Sequence, residues 1–319
     1  MIEVLAPGVL CTVQDTGRHG WQAKGIGVCG AMDVFAARVA NALLANPESA
    51  PVLEITLGAA QFRVLRDGWC AIAGADLDAR LDDASLPPCR VFRVLAGQEL
   101  RFVRAQRGCR AVLAVRGGWL AEPAFGSVAT DLRAGLGGLS GRALARGDRI
   151  GWRDVPGSWR GSVSVATRLA NPSLAAQAPL GLVPGPALQM LSDDDRALLF
   201  SAAFTVSKDS DRMGLRLQES LPSAATLPQQ ISSALVFAAM QLPPDGCPIL
   251  VGADRQTTGG YPVAGVVAGI DHWRIAQARP GDTLRFRPVE ASEARRAWQL
   301  RERSLARLGV AVQGAWQAE

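Results

Sequence analysis

Lysine is nearly absent from this chain. Of its 34 basic residues only Lys24 and Lys208 are lysine, and 319 residues contain just two histidines and one tyrosine, Tyr261. The net charge is +5, but the arginines are scattered and form no stripe interleaved with aromatics, which argues against a nucleic-acid-binding role. Long apolar runs are also missing. None approaches the roughly 20 residues that span a bilayer, so no membrane association is expected. The N-terminal "MIEVLAPGVL" lacks a basic stretch followed by an apolar one, so no secretory signal and a cytoplasmic location are expected. None of the six cysteines sits in a C-x-x-C pair, and neither histidine lies at metal-ligand spacing from a cysteine. The expectation is therefore no metal site, and reduced thiols used mainly for packing. No G-K-[ST] closes any glycine-rich stretch, which excludes a Walker A phosphate loop.

What is present reads as a folded, mainly β protein. The chain is 48% hydrophobic and 20% charged, and long enough for one large domain or two moderate ones. Short strand-type runs at 9–14, 51–57, 60–65, 69–74, 89–95, 99–105, 109–118, 248–253 and 282–289 lie between Gly, Asp and Pro turns, a spacing typical of antiparallel sheets. Three stretches predict helices. Residues 31–46 place Val34, Ala37, Val39, Ala40, Leu43 and Leu44 mainly on one broad face. Residues 193–204 open with acids, which favour a helix N-terminus, and 291–309 form a charged amphipathic pattern ended by Gly309.

One phrase recurs. "AGQELRF" (96–102) and "PGDTLRF" (280–286) are turn-plus-strand units of one shape, with "RGDRIGW" (146–152) as a looser copy. "GAMD" (30–33) and "DRMG" (211–214) read as equivalent points of two halves. The division expected is a β-rich half at 1–152, a connection at 153–180 and a second half with a terminal helix at 181–319.

Four stretches carry candidate chemistry. "GIGVCG" (25–30) satisfies G-x-G-x-x-G, with Glu54 at the distance of a ribose carboxylate. It lacks an adjoining strand and βαβ alternation, so a glycine turn is the better reading. "RAGLGGLSGR" (133–142) is either an anion-cradling loop or a turn. "DRQTTGGYP" (254–262) follows a buried strand and gathers more functional groups than a hairpin needs, which marks it as a site. In it, Asp254 is expected to pair with Arg255 and orient it toward an anion. "KDSDRMGLRL" (208–217) repeats the theme around Asp209, Asp211, Arg212 and Arg216, though alone it reads as a solvated turn. Neither His19 nor His272 builds a Ser-His-acid or Cys-His arrangement.

Seven blocks in fixed order resemble one family over nearly the whole chain: "PGVLCTVQDTGRHGWQAKGIGVCGAMD", "LEITLGAAQF", "GADL", "ATDLRAGLGGLSGRALARGD", "SDRMGLRL", "PPDGCPIL" and "ADRQTTGGYP". The resemblance is to the biotin-dependent carboxyltransferase-related family. That family includes the C subunit of ATP-dependent 5-oxoprolinases, the carboxyltransferase portion of urea carboxylase, allophanate hydrolase subunit 2 and antagonists of a kinase inhibitor. The resemblance implies two cyclophilin-like β-barrel halves with a few flanking helices. It also implies partners, namely the paralogous B subunit of such a complex, together with its A subunit. The activity it implies is ATP-dependent opening of 5-oxo-L-proline to L-glutamate, with ATP used at the level of the complex. Two alternatives follow from the same family. One is transfer of a carboxyl group to a urea or amide nitrogen, with biotin carried by another chain; the other is a non-catalytic regulatory role.

Under the first reading, Arg255 and Arg212 are anion contacts. Thr257, Thr258 and the Gly259–Gly260 backbone donate to a carbonyl or oxyanion. Asp254, Asp33 or Asp131 acts as base or orienter, and Asp211, Gln241 and Tyr261 complete the substrate site. The chain departs from the family pattern at His19 (a proline is usual), Leu215 (a tyrosine), Ser232 (in place of an acid-and-glycine pair), and Ala238 and Ala239 (part of a glycine turn).

Overall fold

A computed structural model describes residues 1–161, 178–228 and 230–317. Strand exceeds helix, 34% against 21%, as the antiparallel spacing predicts. The strands form open sheets, and none among the described residues closes into a barrel. Two compact units result, neither continuous in sequence. The first is Met1–Arg18, Cys29–Leu174 and Glu302–Glu319; the second is His19–Val28 and Ala175–Arg301. The end of the terminal helix thus falls in the first unit rather than in the C-terminal half. Most of the expected connection, 162–177, lies outside the described residues.

In the first unit a six-stranded antiparallel sheet contains Ile2–Pro7, Ala60–Val64 and Glu99–Phe102 at its centre. A five-stranded antiparallel sheet runs Leu10–Gln14, Val52–Thr56, Arg107–Val115, Gly68–Asp76 and Arg90–Val94. Strand alternation with period two explains their burial. Cys11, Val13, Leu53, Ile55, Ile72, Leu113 and Val115 share one core with Val4, Phe62, Leu100 and Phe102. Val52, Ala71, Ala73, Val112 and Ala114, on the other face, pack with the helix Val34–Leu43. Both faces of Val52–Thr56 are therefore covered, and all five of its residues are buried.

That helix is shorter at each end than its apolar pattern. Asp33 starts it, its carboxylate accepting a 2.9 Å hydrogen bond from Ala36 N–H. The terminal helix, by contrast, runs past Gly309, over Ala291–Gln313. Leu305, Leu308 and Val312 are buried with the Val34–Leu43 helix, and their burial outweighs the cost of about 1 kcal/mol for a mid-helix glycine.

The glycine motifs of this unit serve close packing. Arg18, fully buried, donates from Nε to Ala124 O (2.9 Å) and from Nη2 to Ala129 O (2.7 Å). Asp15 accepts from Ser127 Oγ at 2.7 Å and Val128 N–H at 2.8 Å. In the loop these residues hold, a Cβ on Gly137 would lie 2.3 Å from Ala129 O, and one on Gly138 2.0 Å from Thr130 Oγ1. Gly137 and Gly138 in the stretch 133–142 are thus packed closely against residues 129 and 130, as a tight turn requires. At its last residue "GIGVCG" fits the glycine-turn reading. Gly30 packs where a Cβ would meet Gly17 N at 2.8 Å, and Glu54, 1% exposed, accepts from Met32 N–H at 2.6 Å.

The second unit is built on a six-stranded sheet ordered Gly214–Arg216, Ile249–Val251, Ala239–Gln241, Val263–Val267, Leu180–Pro184 and Phe286–Pro288. Its last pair is parallel. The run predicted at 282–289 is split into Thr283–Leu284, paired with Phe204–Thr205, and Phe286–Pro288 in the main sheet. The helix predicted at 193–204 spans Asp193–Ser201, and Phe204 goes to a strand.

Candidate functional site

The strand Ile249–Val251 is flanked on one side by Gly214–Arg216 (Leu215 opposite Leu250) and on the other by Ala239–Gln241 (Met240 opposite Leu250). The chain leaving it, 252–262, is therefore brought against both neighbours. Gly252 N–H donates to Met213 O at 2.7 Å and Asp254 N–H to Arg212 O at 2.9 Å. A Cβ at Gly252 would stand 2.2 Å from Arg212 O, so glycine alone permits this approach. Farther along, Thr258–Gly259 pairs with Ser233–Ala234 as a short antiparallel ribbon.

Between these segments lies a groove of about 440 Å³, within the usual size of small-molecule sites. Asp211, Arg216, Gln241, Arg255, Gly259 and Tyr261 are among its walls. "DRQTTGGYP" and "KDSDRMGLRL" are thus brought together although they are remote in sequence. The second stretch, a solvated turn when taken alone, forms one side of the groove. Asp211 also shapes its own turn, its carboxylate accepting from Met213 N–H at 2.8 Å and Gly214 N–H at 3.3 Å.

The expected pair Asp254–Arg255 is not formed. Asp254 instead receives two 2.8 Å hydrogen bonds from Arg212, Nε to one carboxylate oxygen and Nη2 to the other. Arg212 is buried and Asp254 largely so, their side chains 5% and 9% exposed, and neither lines the groove. This bidentate pair joins the two segments. Arg255 turns elsewhere, donating from Nε to Leu235 O (3.2 Å) and from Nη1 to Gly252 O (3.3 Å) while its side chain lines the groove.

The remaining candidates divide. Gly260 lines the groove beside Gly259 and Tyr261. Thr257 contributes its carbonyl to Leu235 N–H and Thr258 sits exposed in the ribbon; neither lines the groove. Asp33 and Asp131 belong to the first unit, Asp33 as a helix cap and Asp131 accepting from Arg133 and Ala134 N–H in its own turn. Gln230, Ser232 and Gln256 line the groove without being assigned there from sequence. Gln256 lies inside "DRQTTGGYP", whereas "PQQISSA" has no periodicity to mark its polar residues. Among the departures from the family pattern, Ser232 is exposed at the groove and Leu215 is buried in the sheet. Ala238 holds φ +63°, a left-handed conformation that costs a residue with a Cβ roughly 1–2 kcal/mol.

His19 is exposed in its turn. His272 is enclosed, its Nε2 2.9 Å from Val267 O and its ring against Phe237 at 4.9 Å. Burial, aided by the charges of Arg301 and Arg255, pushes its pKa down to about 4, against the hydrogen bond to Val267 and the charge of Asp271. The neutral ring therefore donates from Nε2. A folded-state pKa below the unfolded one means the unfolded chain takes the proton first as pH falls. Stability is thus full above about pH 6.5 and is lost down to about pH 4, by roughly 3 kcal/mol. Urea denaturation between pH 7 and 4 should show this slope in the native protein and a smaller one in His272→Gln. Equal slopes would reject the assignment.

No three His, Cys, Asp or Glu residues among those described are placed to hold a metal ion, and no described helix is long and apolar enough to cross a membrane. The six cysteines are thiols, five of them buried, and burial raises the pKa of Cys70 and Cys89 to about 12.

Residues 24–288, which include the groove and both segments that build it, match the family described as carboxyltransferase domain, subdomain A and B. The chain belongs to this family. Within the carboxyltransferase-domain family it is 37% identical to the C subunit of 5-oxoprolinase from Escherichia coli K12, over 95% of this chain and 96% of that protein. It is 34% identical to the C subunit of 5-oxoprolinase from Haemophilus influenzae, over 92% and 93%. Among solved structures, the K. lactis urea amidolyase superposes with a TM-score of 0.85 at 26% identity, covering 96% of this chain and 20% of that one.

Proposed function

We propose that this chain is the C subunit of an ATP-dependent 5-oxoprolinase complex that opens 5-oxo-L-proline to L-glutamate, acting with the paralogous B subunit of that complex as well as its A subunit. The groove that gathers Arg255, Gln241, Gly259, Gly260 and Tyr261 carries this reading. It suits a small anionic amide: an arginine for the carboxylate, with carboxamides, backbone and a phenol for the polar ring. The full-length similarity to proteins named as this component of 5-oxoprolinase supports the same reading.

In this proposal Arg255 faces the substrate carboxylate, and the Gly259–Gly260 backbone lies against the carbonyl where charge develops. The nucleotide is assigned to a partner in the complex. The glycine-rich stretch flanked by arginines, 133–142, lacks a G-K-[ST] ending, in keeping with that assignment.

The test is the reconstituted three-component complex, given 5-oxoproline and ATP. Glutamate is expected to appear, and omission of this chain to abolish it. The paralogous component is expected to co-purify with this chain. No glutamate from a stable complex, or no association in light scattering at micromolar concentrations, counts against the proposal. The likeness to K. lactis urea amidolyase favours a second reading, carboxyl transfer to a urea or amide nitrogen from biotin on another chain. Turnover that requires a biotinylated carrier would select it.

A further inference from the structure

Gln241 stands at the end of the strand Ala239–Gln241, opposite Ile249 on one side and Val263 on the other. The pairing with Val263–Val267 shifts register between Met240 and Gln241, so the last residue is re-aimed at a bulge. Gln241 is only 7% exposed, yet it lines the groove. Its amide lies against Gly259, where a Cβ would stand 2.7 Å from Nε2 and 2.8 Å from Leu235 Cδ1. Among the described residues no side chain or backbone group hydrogen-bonds to this carboxamide. The amide is thus on the groove wall with its hydrogen-bonding groups uncommitted to those residues, and is set to pair with what the groove holds.

We propose that Gln241 is the specificity-determining residue of the groove, pairing with the amide edge of the substrate, and that Gly259 is bare to let that edge reach it. This rests on the reading of the groove as the substrate site. The chemistry follows from the side chain. A carboxamide presents an N–H donor and a C=O acceptor side by side on one carbon and in one plane. A cis amide, as in a lactam or a urea, presents the complementary pair on one edge and takes both hydrogen bonds. A trans peptide has its N–H and C=O on opposite sides and takes one. A ketone or a carboxylate has no donor and also takes one. Gln241 therefore selects a cis-amide edge, while Arg255 selects for an accompanying carboxylate.

The test uses the full chain in ligand-detected NMR and the complex in steady-state kinetics. The probes are 5-oxoproline, 2-pyrrolidinone, urea and cyclopentanecarboxylate, the last having the anion without the amide. Gln241→Met keeps length and removes both hydrogen-bonding groups. It is expected to weaken binding of 5-oxoproline and 2-pyrrolidinone by about 10- to 100-fold and to leave cyclopentanecarboxylate unchanged. Gly259→Ala is expected to give the same pattern by crowding Nε2. Equal weakening of all probes would mean a general structural role, and unchanged 5-oxoproline binding would mean no role; either overturns the proposal. If native protein binds urea but not 5-oxoproline, and Gln241→Met loses urea, the 5-oxoprolinase reading fails while the role of Gln241 stands. Failure of native protein to bind any cis-amide probe overturns it.

Discussion

Asp254→Ala is expected to lower the stability of the protein by about 3–5 kcal/mol, the cost of removing one partner from a buried, bidentate ion pair. Arg212 is 5% exposed and delivers two hydrogen bonds to the Asp254 carboxylate. Alanine removes both acceptors and leaves the guanidinium enclosed. The loss also reaches the groove, because the pair joins the two segments that form it, together with Asp254 N–H to Arg212 O and Gly252 N–H to Met213 O. Replacing both partners by apolar residues of similar size, Arg212→Met with Asp254→Leu, is expected to lose less than the sum of the two single losses, since neither member of this pair is then left facing an empty site. Urea midpoints for the native, single and double variants check this. A single-variant loss below about 1 kcal/mol would show that water reaches the site and that the pair is of the weak, exposed kind.

Arg255→Ala is expected to behave in the opposite way. Activity of the complex should fall by about 10- to 1000-fold, the range for losing one positioned electrostatic contact. Stability should change by only about 1–2 kcal/mol, because the guanidinium donates to two carbonyls, Leu235 O and Gly252 O, and is half-buried rather than enclosed. Arg255→Lys keeps the charge but loses the planar fork, and is expected to fall between. The comparison needs kcat/KM on the assembled complex beside the denaturation midpoint. Near-native turnover by a folded Arg255→Ala would remove it from the site, and collapse of the fold would make it a structural anchor of residues 235 and 252. The two adjacent residues 254 and 255 are thus separable by experiment, one holding the groove together and the other facing into it.

Much of the β framework is legible in the sequence because burial imposes period two on a strand and both faces of the central strands are covered. "CRAVLAVRGG" and "PVLEITL" read as strands on that ground, and they are strands. "DRQTTGGYP" stands out as a site because its groups are useless for packing, and most of the groove's walls come from it or from "KDSDRMGLRL". Helix limits are less legible. Asp33 reads as a base or orienter, and its carboxylate caps the helix Val34–Leu43, a use that the sequence pattern does not distinguish from the first. Gly309 reads as a helix end, and burial of Leu308 and Val312 carries the helix past it.

Local pattern determined which residues form strands and which stretch is chemically odd, because both depend on neighbours within a few positions. Only the tertiary structure decided the partners. Asp254 passes over the adjacent Arg255 for Arg212, 42 positions away, since sheet register brings that guanidinium beneath it with matching geometry. Gln241 likewise enters the candidate site from the family resemblance and not from any local pattern. Its distinction is an amide set against Gly259 on the groove wall, a property of the assembled surroundings and not of the residue.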